Sequence, residues 1–303
     1  MKQLWSLFST FACILQLFGA SAAVSGETGH YVGGTEGIKL ATAPPPGFYY
    51  KLYNVFYYAD TYQSYRGSRQ VRPDVQNFVM IHRPILVSDI RILGADYIAS
   101  ILMPVTYADV SVRSGEEQIN DKRWAIGDMA VEPFCLGWHA DRWDAMFSLA
   151  AYLPTGRQSS RKIALPGKEF WTLMLSLGPT LYLDRDKTWA FSTLVRYELH
   201  SRKRHEDIRP GQNLSIDASL SKSLGRLWEI GLCGYAQWQV SKDRGSDITY
   251  NRSIRDRVFG LGPEVGIYVP FLKLKFQFRN QIEFGARDRT EGVITNLSFT
   301  KSF

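Results

Sequence analysis

Long uninterrupted apolar runs are what this 303-residue chain lacks first. After Ala23 charged residues break every stretch that could cross a bilayer as a helix, which excludes a helical membrane protein. Cysteine is almost absent as well. Of three cysteines, Cys135 and Cys233 lie far apart beyond the N-terminal segment and have no Cys-x-x-Cys spacing, so neither a disulfide framework nor a zinc site is expected. There is no low-complexity tract, and no face of 3.6-residue period persists for several turns. Acidic residues are the scarcer charge, 29 against 36 basic, for a formal charge of +7. That balance suits a nucleic acid or an anionic lipid, and the N-terminal segment favours the lipid.

That segment has the form of an export signal. Lys2 supplies the positive charge, Leu4 to Phe18 form a short apolar run, and Ala20-Ser21-Ala22 offers a cleavage site. Residues 1–22 are therefore expected to be removed after Sec-type export, the alternative being an uncleaved anchor. Residues 23–46 follow as a leader with Tyr31, Ile38 and Leu40 set between glycines. Such a leader either folds back into a lumen or stays in the periplasm.

From residue 47 onward the dominant signal is alternation with period two. Leu272, Leu274, Phe276, Phe278, Asn280, Ile282 and Phe284 alternate with Lys273, Lys275, Gln277, Arg279, Gln281 and Glu283, which describes a strand with one oily and one charged face. Asn213, Ser215, Asp217, Ser219, Ser221 and Ser223 alternate with Leu214, Ile216, Ala218 and Leu220. The same pattern recurs over Trp143–Leu153, Trp171–Leu183, Trp189–His200, Trp228–Val240 and Phe259–Ile267. It is less clean near Phe48–Tyr62, Asn77–Val87, Ala95–Val112 and Gly127–His139. With Val293–Phe303 this makes about twelve strands, an even number as a single-chain bacterial barrel requires.

Connections alternate between short and long. Short turns fall at His139–Arg142, Asp184–Lys187, Gly225–Leu227 and around Pro270, and longer charged ones at Tyr65–Asp74, Arg113–Arg123, Thr155–Lys168, Ser201–Pro210 and Lys242–Arg257. Short periplasmic turns and long outer loops characterise outer-membrane barrels. Trp138, Trp143, Trp189 and Trp228 all lie beside short turns, where an aromatic girdle would sit. The fold expected over 47–303 is an all-β, closed antiparallel transmembrane β-barrel. Its last strand ends in Phe303, an aromatic terminus of the kind the barrel assembly machinery reads. Lys301 interrupts the oily face near the interface, where a lipid-facing lysine costs about 0–1 kcal/mol.

These residues also carry a resemblance. Gly34-Thr35-Glu36-Gly37, Pro44-Pro45-Pro46-Gly47-Phe48-Tyr49, Gly127-Asp128, Pro133, Leu136-Gly137-Trp138, Leu153-Pro154-Thr155-Gly156, Phe170-Trp171, Leu232 to Gln237 and Leu261-Gly262-Pro263 occur in an order that resembles the outer-membrane family of the meta-pathway of phenol degradation, which includes sphingosine-responsive porin-like proteins. The resemblance spans nearly the whole chain after the export signal. It implies an outer-membrane barrel passing small hydrophobic or aromatic compounds, with no catalytic residues and no cofactor.

The candidate lumen residues are Lys273, Lys275, Arg279, Glu283, Arg196, Glu198, Asp217, Glu229 and Glu264. Both signs are represented, so the expectation is pairing across the interior and a narrow channel rather than a strongly ion-selective pore. Arg161, Lys162, Arg202, Lys203, Arg204 and Arg255 in the long loops are the candidates for lipopolysaccharide phosphates, against the plainer reading of solvated charge. Gly260-x-Gly262-x-x-x-Gly266 opens no helix and so fails as a nucleotide loop; its glycines thin the inner wall. No nucleic acid and no metal is expected. The runner-up functions are an outer-membrane lipid-modifying hydrolase and a structural barrel with a filled lumen. His82, His139, His200 and His205 are the imidazoles available to a hydrolase, without Gly-x-Ser-x-Gly or His-Glu-x-x-His, and His200 with Glu198 or Arg196 is the pairing to examine.

Overall fold

A computed structural model describes residues 28–64, 72–114, 117–156 and 166–303. The expected signal peptide, and Arg161 and Lys162, lie outside the described residues. Thirteen strand segments follow in order: β1 (Gly47–Gln63), β2 (Arg72–Ile92), β3 (Ala95–Ser114), β4 (Glu117–Ile126), β5 (Met129–His139), β6 (Trp143–Leu153), β7 (Thr172–Tyr182), β8 (Trp189–His200), β9 (Asn213–Leu224), β10 (Trp228–Gln239), β11 (Arg257–Val269), β12 (Leu274–Arg287) and β13 (Arg289–Ser302). All pairings are antiparallel, and β1 pairs with both β2 and β13, so the sheet closes on itself.

The barrel has twelve staves because β4 and β5 share one. The outer part of β3 pairs with β4 and its inner part with β5, with a break at Gly127-Asp128 between them. The sequence places a long loop at Arg113–Arg123, whereas the backbone there continues as the β3–β4 hairpin. Its polar residues are compatible with strand structure because a hairpin that rises above a membrane needs no oily face.

One rim carries the short turns and both ends of the wall, Gly47 and Ser302, and is therefore periplasmic. Leu93 (φ 52) and Gly94 (φ 78) make a two-residue turn between β2 and β3, the geometry that left-handed residues favour in hairpins. The other rim carries the connections after β6, β8 and β10. The outer turn from β12 to β13 is tight, pivoting on Asp288, whose carboxylate accepts a 2.8 Å bond from the Tyr62 hydroxyl.

Outward residues form an oily belt. Leu173, Leu177, Leu181, Phe191, Ile230, Leu232, Leu261, Phe278, Ile282 and Phe284 are all exposed, with Trp143, Trp189 and Trp228 near the short turns. Apolar exposure on this scale is incompatible with an aqueous surface and suits lipid. Inside, Asp144, Ser148, Thr172, Ser176, Thr180, Ser192, Ser215 and Asp217 are buried, as the period-two pattern predicts.

The interior is not polar throughout. Tyr53, Val55, Tyr57, Ala59, Tyr62, Val75, Val79, Ala108 and Val110 of β1–β3 pack with Tyr235, Val258 and Ile294 into an apolar cluster. It fills part of the lumen on the side of β1–β3.

Candidate functional site

Residues 28–46 lie within the barrel and are held mainly by the inner face of β8–β12. The Glu198 carboxylate accepts the backbone N–H groups of His30 (2.8 Å) and Tyr31 (3.0 Å). Asp217 accepts the Tyr31 hydroxyl at 2.8 Å and the Gly34 N–H at 2.9 Å, and also pairs with Arg196. The Arg196 guanidinium lies 4.1 Å from the Tyr31 ring centroid, adding a cation–π contact. Further along, Glu264 accepts the Ile38 N–H at 3.1 Å and the Arg279 guanidinium at 2.5 Å, while Arg279 donates to the Thr35 carbonyl at 2.7 Å. Lys39 donates to Glu229 at 2.7 Å.

The leader can approach so closely because it has no side chains where it touches the wall. A Cβ on Gly33 would run into the Tyr235 ring, and one on Gly37 into the Glu264–Arg279 pair. Tyr235 itself occupies the space above Gly260. The glycines of β11 do thin the inner wall, and Tyr235 together with the leader takes up the room they leave.

On the opposite side a cavity of about 530 Å³ remains between the leader and β1–β3, β5–β8, β12 and β13. Its lining reaches from Gly127, Pro166 and Lys168 at the outer end to Pro44, Pro45 and Thr300 at the periplasmic end. Val79, Ile81, Ile85, Ile98, Leu102, Ala130, Met146, Ala150, Met174 and Leu194 supply much of the surface. A charged girdle interrupts it. Glu36 of the leader accepts Lys51 at 2.9 Å, Arg83 at 2.9 Å and the Tyr53 hydroxyl at 2.6 Å, and Arg83 also reaches Glu132 at 2.6 Å. Each of these charges is paired, so the girdle offers polar groups without an unsolvated ion.

Of the nine lumen candidates, eight project inward from strands and contribute to these networks: Arg196, Glu198, Asp217, Glu229, Glu264, Lys275, Arg279 and Glu283. Glu283 accepts the Tyr57 and Tyr235 hydroxyls at 2.9 and 2.7 Å and so sits in the apolar cluster rather than on the cavity. Lys273 is a correction. It lies in the exposed periplasmic turn with φ 47 and caps the short 3-10 helix Pro270–Leu272, so the alternating register does not extend through it. Among the loop candidates, Lys203 is also corrected: it is buried and paired with Glu206 at 2.9 Å, leaving no ammonium for a lipid phosphate. Arg202 is exposed and paired with Asp207 at 2.6 Å, and Arg204 and Arg255 are exposed.

Sequence reasoning missed His30, Glu36, Lys51, Arg83 and Glu132. A signal for Arg83 exists: it is the one charge in the alternate row Val79, Ile81, Arg83, Ile85, Val87. His200, the imidazole of interest for hydrolysis, is buried, meets the Thr172 hydroxyl at 2.7 Å through Nδ1, and packs edge-on against Phe170.

A family model described as "Putative MetA-pathway of phenol degradation" matches residues 59–299. Among solved structures, the chain is similar to the COG4313 outer membrane channel from Pseudomonas putida F1, with a TM-score of 0.75 and 12% identity over 88% of this chain and 99% of that one. Weaker likenesses are the translocator domain of the autotransporter NalP from Neisseria meningitidis, at TM-score 0.49 and 12% identity over 86% and 90%, and the CymD monoaromatic hydrocarbon channel, at 0.44 and 9% over 85% and 89%. At such identities the likeness is one of fold. No curated protein matches the sequence.

Proposed function

The chain belongs to this family of the MetA pathway of phenol degradation, and on that premise we propose that it is an outer-membrane channel for the passive uptake of small hydrophobic or aromatic compounds. The observation that carries the reading is the cavity between leader and wall, with a largely aliphatic lining and contributions from both rims. Its volume falls within the range of small-molecule sites, and the charged side chains that interrupt the aliphatic surface, such as Arg83 and Glu36, are paired with one another. Along the aliphatic part of the lining a hydrated ion would give up its water shell without replacement, whereas a small apolar molecule gains from leaving water.

The hydrolase reading is not favoured. Its imidazole, His200, faces the interior, between Thr172 and Phe170, while an acyl chain in the bilayer lies beyond the wall. A purely structural barrel is not favoured either, because the interior retains the cavity. We further propose that Arg202, Arg204 and Arg255, all exposed, contact lipopolysaccharide phosphate and that the strand ending at Phe303 contacts the barrel assembly machinery.

The test is uptake into liposomes containing the purified full chain. Toluene or phenol equilibrating faster than into protein-free liposomes, with little acceleration for a sugar of similar size, is the expected result. Equal acceleration of both would mark a general porin, and none for either would remove the channel.

A further inference from the structure

The periplasmic end of the cavity carries an arrangement of charge that an apolar solute alone does not explain. In the strand register Lys51 of β1 lies opposite Thr300 of β13, and Thr300 lies opposite Lys275 of β12. Three inward side chains thus stand in one row across three strands, with neighbours about 5 Å apart at Cβ. All three line the cavity, and Lys39 of the leader joins them from the facing side.

The charges here do not balance. Glu229 is shared by two ammonium groups, Lys39 at 2.7 Å and Lys275 at 2.6 Å. Glu36 is shared by Lys51 and Arg83, and Arg83 also takes Glu132. Four cations therefore meet three carboxylates. Asp144, on the wall across the lumen, is engaged by Tyr182 and His139. Among the described residues the Thr300 hydroxyl, aimed into the cavity, has no hydrogen-bond partner. Beside this row Tyr49, Ile85, Ile98 and Met146 form an apolar wall.

We propose that this end of the cavity binds the carboxylate of a small apolar monocarboxylic acid, with Lys275, Lys51 and the Thr300 hydroxyl receiving the anion and the Tyr49–Ile85–Met146 wall receiving its hydrocarbon body. The inference rests on the channel reading and narrows its solute class. A monoanion matches the single excess positive charge, and a phosphate monoester, with nearly two charges, exceeds it. A carboxylic acid is ionised at neutral pH whereas a phenol, with a pKa of about 10, is not, so only the acid adds an ion pair to the hydrogen bonds that the lysines donate.

The experiment compares equilibrium binding of benzoate and of benzyl alcohol, its uncharged counterpart, to the full chain in detergent, together with their flux into liposomes. Benzoate binding about tenfold tighter than benzyl alcohol is the expected result, a difference of about 1.4 kcal/mol. Glu229→Gln raises the excess charge and strengthens benzoate, both absolutely and relative to benzyl alcohol. A merely structural Glu229 would weaken both. Lys275→Gln removes the excess and reduces the preference to about twofold or less. If that variant fails to fold, Lys39→Gln removes the same charge from the leader. Equal affinities in the unaltered chain, or a Glu229→Gln variant that does not tighten benzoate, overturn the proposal. Flux of benzyl alcohol without any benzoate preference overturns it alone, and absence of flux for both solutes removes the channel reading with it.

Discussion

Asp217 shows how much one buried carboxylate can organise. It pairs with Arg196, accepts the Tyr31 hydroxyl and accepts the Gly34 N–H, so wall and leader meet on a single side chain. Asp217→Ala would leave Arg196 buried without its carboxylate, and we expect a loss of ~3–5 kcal/mol in unfolding free energy, read from urea titration in lipid. A loss below ~1 kcal/mol would mean that water or Glu198 replaces it. At the surface, Asp184 in the periplasmic turn accepts the Thr188 hydroxyl at 2.6 Å and the N–H groups of Thr188 and Trp189 at 3.1 and 2.7 Å. The Thr188 hydroxyl and these N–H groups pull its pKa down from 3.8 to about 2. Because the folded value is the lower one, the contribution of Asp184 is complete above pH 3.8 and disappears as pH falls towards 2. Faster amide exchange at Trp189 on acidification through that window is expected, and Asp184→Asn should abolish the change.

At the scale of elements, the leader is the piece that most alters the lumen. It has little secondary structure and depends on wall carboxylates for its backbone N–H groups, which suits a segment that makes few contacts within itself. Deleting residues 28–42 should leave a folded barrel with a wider passage, and single-channel conductance in planar bilayers should rise several-fold. Unchanged conductance would show that other side chains close the lumen. The strands differ in how plainly the sequence announces them. In β6–β12 one face meets lipid and the other a polar interior, and alternation is clear. In β2 the inward Val75, Val79, Ile81, Ile85 and Val87 back onto outward Phe78, Met80 and Leu86, in β1 the inward Tyr53, Val55 and Tyr57 onto outward Phe56 and Tyr58, and in β3 the inward Ile98, Ala108 and Val110 accompany outward Ile101, so both faces are apolar and the contrast fades. That is the physical reason for the unclean pattern at Phe48–Tyr62, Asn77–Val87 and Ala95–Val112.

For the whole molecule, stability depends on a belt that faces hydrocarbon. Leu177, near the middle of β7, is 58% exposed, and Leu177→Arg should cost ~2–4 kcal/mol in lipid vesicles if it lies at the bilayer midplane. The same substitution at Leu93, in a periplasmic turn and 84% exposed, should cost less than ~1 kcal/mol. Equal effects at the two sites would contradict the placement of the membrane. Closure also matters at this scale, since pairing of β1 with β13 leaves the two chain ends of the wall on one rim, with Phe303 against Phe48 at 5.5 Å between ring centroids.

The sequence by itself determined that residues 47–303 form amphipathic strands, that short turns gather on one rim and the long connections after β6, β8 and β10 on the other, and that charges of both signs point inward. Those properties are local: period two states which side chains share a face, and turn residues state where the chain reverses. Only the tertiary structure decided what each inner face meets. The leader's glycines find Tyr235 and the Glu264–Arg279 pair across more than two hundred residues, Lys203 turns inward while Arg202 stays outside, and Lys273 falls in a turn although its parity matches the lumen row. Side chains so far apart in sequence become neighbours only when the cylinder closes, because closure is what brings the two sides of the lumen within hydrogen-bonding distance of one segment.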